Sequence, residues 1–220
     1  MELKVVPRLL AQLDLHGLVV TFDALHTQKR TARQVVEQGG HYFMVVKDNQ
    51  PGLLEDIALL FAEPPLGEEF ARSLSRGRHG DRFEERYLES SEALCEYLSW
   101  PHVGQVCRIE RRVTRKRETK AETQYALTSL KREKADARRL QRLWRGHWSI
   151  ENRLHWERDV VLGEDASQVR KGSAPQVMAA LRNLTLGLLR QAKVNNVAAA
   201  LRRHARYPAE ALALMGWPDY

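Results

Sequence analysis

The chain has 220 residues, 43% hydrophobic and 29% charged, the composition of an ordinary soluble protein built as one domain with an insertion or as two small domains. Lys plus Arg outnumber Asp plus Glu by 35 to 28, and the resulting formal net charge of +7 favours a polyanionic partner, with nucleic acid the first candidate. The two cysteines, Cys95 and Cys107, form no CxxC pair, which argues against a disulfide framework or a structural zinc site; no apolar run approaches the roughly 20 residues that span a bilayer, and no secretion signal opens the chain. The expectation is a cytoplasmic protein without a membrane anchor.

From the N-terminus, Val6, Leu9, Leu10 and Leu13 recur at helical spacing. Gly17 then leads into Leu18 to Phe22, a short apolar, β-branched run expected as a buried strand. Lys29 to Gln38 is helical in composition and stops at Gly39-Gly40; Tyr42 to Val46 reads as a second buried strand, and Leu53 to Phe61 as another helix. Short strands alternating with helices predict an α/β layer with some parallel pairing. Beyond Glu63-Pro64-Pro65 the texture changes: Arg82 to Leu88 and Gln105 to Arg117 alternate in polarity, and a polar turn at Thr119 to Glu122 leads to a strand over Gln124 to Leu130. Ser91 to Leu98 reads as a short helix between them. The last part opens on the basic stretch Lys131 to Arg145, with Leu140, Leu143, His147, Ile150 and Leu154 on one helical face. After Pro175, Val177, Leu181, Leu184, Leu188 and Leu189 mark a further amphipathic helix.

Two places invite chemistry. Asp23 directly follows the first strand, where open α/β sheets hold their ligands, although taken alone it reads first as a helix cap or turn residue. Glu151 has His147 and His155 four residues to either side. That spacing permits a His-Glu-His transition-metal site but lacks the HExxH pattern. The other reading pairs Glu151 with Asp23 as oxygen ligands for hard divalent cations, the arrangement that metal-dependent phosphoryl transfer requires. Lys134, Arg138, Arg142 and Arg145 recur on one helical face before Glu151; they suit DNA phosphates, or form a solvated surface balanced by Glu133 and Asp136.

The strings VVTFDALHTQ (Val19 to Gln28), HYFMVVKDNQP (His41 to Pro51) and RGHWSIENRLHWERDVVLGEDASQVRKGSAP (Arg145 to Pro175), in that order, resemble the DDE transposases of the H-repeat-associated, Rhs-linked bacterial insertion-sequence family. The resemblance covers nearly the whole chain, more loosely between residues 66 and 130, and matches the family's C-terminal two thirds. It implies an α/β fold with a ribonuclease H-like core, here N-terminally truncated: residues 1–65 as part of the core, 66–130 as a mostly β insertion, and 131–220 as a helical part that completes the core. It implies an Asp, Asp, Glu triad in which Asp23 matches the second Asp and Glu151 the Glu. Around that Glu, Trp144, His147 and Arg158 stand where related transposases carry Tyr, Arg and Lys. The Asp-Gly-Lys stretch that holds the first Asp has no counterpart in this sequence. The activity implied is metal-dependent cleavage and strand transfer in the transposition of an insertion sequence, with Asp23 and Glu151 holding Mg2+ or Mn2+. The partners implied are double-stranded DNA, as transposon ends and target, and a second copy in a homo-oligomer. Arg145, His147, Arg158, Arg170 and Lys171 are the candidate phosphate contacts. The rival expectation is a catalytically dead DNA-binding remnant that competes for transposon ends.

Overall fold

The computed structural model describes residues 2–116, 118–150 and 155–217, and the chain divides into two compact units, Met1–His147 and Trp148–Tyr220. The first unit is built on strands β1 (Val19–Phe22), β2 (His41–Val46), β3 (Ala71–His79), β4 (Arg82–Ser91), β5 (Gln105–Arg115) and β6 (Glu118–Thr128). They form one six-stranded sheet in the order β1-β2-β6-β5-β4-β3. β1 and β2 are parallel, and every other pair is antiparallel. A parallel pair needs a crossover, and α2 (Lys29–Glu37) supplies it; Gly39, two residues past its end, has a φ of +75° that suits a residue without a side chain. β6 hydrogen-bonds directly to β2, so the segment expected as a β insertion extends the same sheet without a break.

Side chains opposite one another across a ladder share a face, so the register sorts the sheet into two sides. Phe22, Tyr42, Met44, Val46, Val106 and Leu127 point to one side, where they bury against α2, α3 (Pro51–Ala62) and the end of α1 (Glu2–Leu10) through Ala32, Val35, Ile57, Leu60, Phe61 and Leu10. Thr21, Phe43, Ser73, Leu88 and Ile109 point to the other, which α4 (Ala137–Ile150) crosses. Trp144, 2% exposed, packs edge-on against Phe43 with ring centroids 5.6 Å apart. Gln141, also buried, accepts from the Ser73 hydroxyl at 3.0 Å and donates to the Arg86 carbonyl at 2.8 Å. Helices on both faces of a mixed sheet give the α/β class that the alternation of elements predicts.

Several local expectations change. β1 is half-buried except for Phe22, because it pairs on one side only. The buried stripe of α4 runs through Ala137, Leu140, Gln141 and Trp144, not through Leu143 and His147, and the expected Leu154 lies outside the described residues. Ser91 ends β4, and the stretch up to Leu98 forms turns instead of a helix, with Cys95 N–H donating to the Glu92 carbonyl and Leu98 N–H to that of Leu94. Burial pushes the Cys107 thiol strongly up and that of Cys95 to about 11, so both stay protonated at neutral pH.

The second unit contains a π-helical turn (Glu157–Val161), α5 (Ala174–Gln191), α6 (Val197–Arg206) and α7 (Pro208–Leu214) around a small core of Leu186, Leu189 and Val197. Of the expected α5 stripe, Leu189 is buried, whereas Val177, Leu181 and Leu184 are exposed.

Trp144 and Phe43 provide the test of this packing. Trp144→Ala is expected to lower the unfolding free energy by about 3–5 kcal/mol in urea denaturation, through lost contacts and the cavity left behind. Leu74→Ala, at a residue 49% exposed on β3, is expected to change it by no more than about 0.5 kcal/mol.

Candidate active site

Because β1 and β2 are parallel, their C-terminal ends lie side by side and the residues that follow them meet. Asp23 follows β1 and Lys47 follows β2, and the Lys47 ammonium stands 3.8 Å from Asp23 Oδ1. Asp23 is also the cap of a 3₁₀ turn, Ala24–His26: its Oδ1 accepts the Ala24 N–H at 2.7 Å. The turn reading and the site reading are therefore compatible, since capping uses one carboxylate oxygen. Among the described residues the other oxygen accepts no hydrogen bond, and the side chain is 51% exposed.

The loop that presents Asp23 is clamped by the loop after β2. Asn49 donates its side-chain N–H to the Ala24 carbonyl at 2.6 Å, and Gln50 donates to the Thr27 carbonyl at 3.0 Å. The fully buried Thr27 hydroxyl donates to the Val45 carbonyl at 2.5 Å. Two of the sequence strings, VVTFDALHTQ and HYFMVVKDNQP, thus form one interlocked strand end. Sequence reasoning assigned no role to Thr27, Lys47, Asn49 or Gln50; the signal was a run of polar side chains directly after two apolar strands.

Strand alternation puts Asp23 on the same side as Thr21, the side that α4 covers. His147 meets that side at β1, its Nδ1 3.2 Å from the Thr21 hydroxyl. Glu151 follows His147 by four residues and lies outside the described residues, as do Asn152 to Leu154. Among the described residues no group of three or more His, Cys, Asp or Glu side chains is assembled in a way that could hold a metal ion.

The candidate phosphate contacts occupy different settings. Arg145 is exposed on α4 and His147 is half-buried against Thr21. Arg158 belongs to the second unit and forms a two-pronged pair with Glu164, Nε to Oε2 and Nη2 to Oε1, both at 2.7 Å. Arg170 and Lys171 are exposed on the loop before α5.

The Arg158 hydrogen bonds hold the Glu164 carboxyl below its ordinary value of 4.5, against a smaller opposing effect of burial. A depressed carboxyl contributes stability above its unfolded value and loses it as pH falls through the folded one. An NMR titration is therefore expected to place the Glu164 midpoint below 4.5, and Arg158→Gln to return it toward 4.5 and remove the associated loss of stability in acid.

The comparisons agree with this architecture. A family profile described as "Transposase DDE domain" matches residues 2–188. The chain is 31% identical over 219 residues to "Putative protein YbfL" of Escherichia coli strain K12, and 29% identical over 219 residues to "H repeat-associated putative transposase YhhI" of the same strain. Each alignment covers 94% of this chain and 56% of the relative. It is 29% identical over 198 residues to "Putative transposase YncI" of Escherichia coli O157:H7, covering 87% of this chain and 50% of that protein. The chain spans about half the length of these relatives. With a profile match over most of its length, on a mixed sheet that carries an Asp at the tip of a parallel strand, the chain belongs to the DDE transposase family, whose domain implies a ribonuclease H-like fold.

Proposed function

We propose that the chain takes part in metal-dependent cleavage and strand transfer of double-stranded DNA, the chemistry by which an insertion sequence moves. The family match over residues 2–188 carries this reading. It is supported by an Asp23 carboxylate at the end of β1 whose second oxygen accepts no hydrogen bond among the described residues. Hard divalent cations prefer such oxygen ligands, and Asp23 and Glu151 are the residues proposed to hold Mg2+ or Mn2+. When bound, these ions supply charge that favours both the attacking and the leaving oxygen of an in-line displacement at phosphorus.

The chain's own residues bind and orient. The Thr27, Asn49 and Gln50 hydrogen bonds hold the Asp23 loop in one conformation, so that its carboxylate is placed before DNA arrives. Lys47 adds a cation beside it for a phosphate oxygen. Arg145, Arg170 and Lys171, all exposed, are proposed as further phosphate contacts. His147 is proposed to position the end of α4 through Thr21 while contacting DNA. Arg158, also proposed as a phosphate contact, is paired with Glu164 through Nε and Nη2.

The experiment is a nicking assay on a labelled duplex carrying the element's terminal repeat, with Mg2+ or Mn2+. Metal-dependent nicking that falls below detection in Asp23→Asn and in Glu151→Gln is the expected outcome. Retention of the duplex without nicking would favour a DNA-binding protein that competes for transposon ends, and neither retention nor nicking would remove both readings.

A further inference from the structure

Strands β3 to β6 carry many arginines, and the two faces of this part of the sheet treat them differently. On the face away from α4 four arginines pair with carboxylates, Arg76 with Glu85 at 2.8 Å, Arg112 with Glu110 at 2.5 Å, and Arg72 and Arg108 with the buried Glu89, while Arg78 donates to the Gly80 carbonyl at 3.2 Å. On the α4 face three guanidiniums converge on a single oxygen, Glu84 Oε1: Arg86 at 2.8 Å, Arg82 at 3.6 Å, and Arg111 in closer contact. The register forces this crowding, since Arg86 stands directly opposite Arg111, and Arg82 opposite Arg115. A fourth cation comes from α4. Gln141 is fixed to the Arg86 carbonyl, Arg145 lies one helical turn beyond it, and the Arg145 charge acts on Arg86. Among the described residues the carboxylates paired with Arg86 and Arg111 are Glu84 and the exposed Glu122, which reaches Arg111 at 3.8 Å; Arg115 is paired with Asp81 at 3.1 Å.

Two polar atoms in this cluster are buried without a hydrogen-bond partner among the described residues, the Ser75 hydroxyl and Arg82 Nε. Ser75 stands opposite Arg86 on the same face. Buried polar groups are normally satisfied, and both of these can donate to an acceptor oxygen. The Arg86 side chain is 22% exposed, so a cation in excess of its carboxylates is held partly out of water, a costly arrangement unless an anion completes it. A phosphodiester fits the deficit: it carries one negative charge and two non-bridging oxygens that match the fork of a guanidinium.

We propose that Arg82, Arg86, Arg111 and Arg145, with the Ser75 hydroxyl, form a phosphate-binding cradle on the α4 face of the sheet that holds a backbone phosphate of DNA. The identity of the phosphate donor rests on the transposase reading; the cradle does not depend on cleavage, and its test is run in EDTA, where no nicking occurs.

The measurement is fluorescence anisotropy of a labelled duplex across a salt series. Arg86→Gln and Arg111→Gln are each expected to weaken binding about tenfold and to reduce the slope of log affinity against log salt by about 1. Arg145→Gln, on an exposed helix position that leaves folding intact, is expected to reduce the slope likewise, and Glu84→Gln to tighten binding. Arg76→Gln and Arg112→Gln, on the opposite face of the same strands, are expected to leave affinity within about twofold. Equal losses on both faces, or an unchanged slope in the cradle variants, would overturn the proposal. So would variants that lose thermal stabilisation by inorganic pyrophosphate while keeping full affinity for the duplex, since the cradle would then serve a free phosphate.

Discussion

The seat of α4 on the sheet is the contact on which the rest of the first unit depends. Trp144 fills the space over Phe43, Gln141 ties the helix to β3 and β4, and His147 brings it to Thr21 on β1. Three kinds of interaction, an aromatic edge contact, a buried amide with its donors and acceptor satisfied, and an imidazole against a hydroxyl, fix the position of one helix across the sheet. A buried glutamine is tolerated here because its partners are present, and the same partners make the placement specific.

That placement distinguishes the two sides of the sheet, and the proposed site and cradle both lie on the side that α4 covers. The side away from α4 is apolar where α2 and α3 cover it, and Arg72, Arg76, Arg108 and Arg112 there pair with nearby carboxylates. The α4 side carries Asp23 at one end, held by the clamp from the β2 loop, and the cluster of arginines around Glu84 farther along. Burial pushes the Glu84 carboxyl up, but the Arg111 hydrogen bond and the charges of Arg86, Arg111 and Arg82 outweigh it, so the carboxyl sits below the ordinary range. It therefore stays ionised at neutral pH and still leaves the cluster positive. Both features lie within the first unit, and both derive from strand register.

The sequence announced what depends on local pattern. The unbroken apolar run at Tyr42 to Val46 could only be an interior strand, and it is buried throughout. Asp23 after Val19 to Phe22 had to sit at a strand end, and the parallel partner made that end the place where two loops meet. What escaped depends on pairing. β1 looked as buried as β2, but it is an edge. β3, with Arg72, Leu74, Arg76 and Arg78 alternating with small residues, was passed over because its apolar content is low, although its alternation was a usable signal. The convergence on Glu84 needed the knowledge that residue 86 faces 111 and that α4 passes nearby, neither of which is written in the spacing of arginines along the chain. The stripe of α4 was misjudged for a related reason. Gln141 is polar and so has no place in an apolar stripe, yet Ser73 and the Arg86 carbonyl make it interior.

The central claim, that the strand end carrying Asp23 is a metal-binding active site, is tested most directly by adding Mn2+ to the isotope-labelled protein bound to a duplex and recording paramagnetic broadening of backbone amides. The account predicts broadening centred on Thr21, Phe22, Ala24 and Lys47 that disappears in Asp23→Asn. Broadening centred elsewhere in the chain, or broadening that survives Asp23→Asn unchanged, would contradict it.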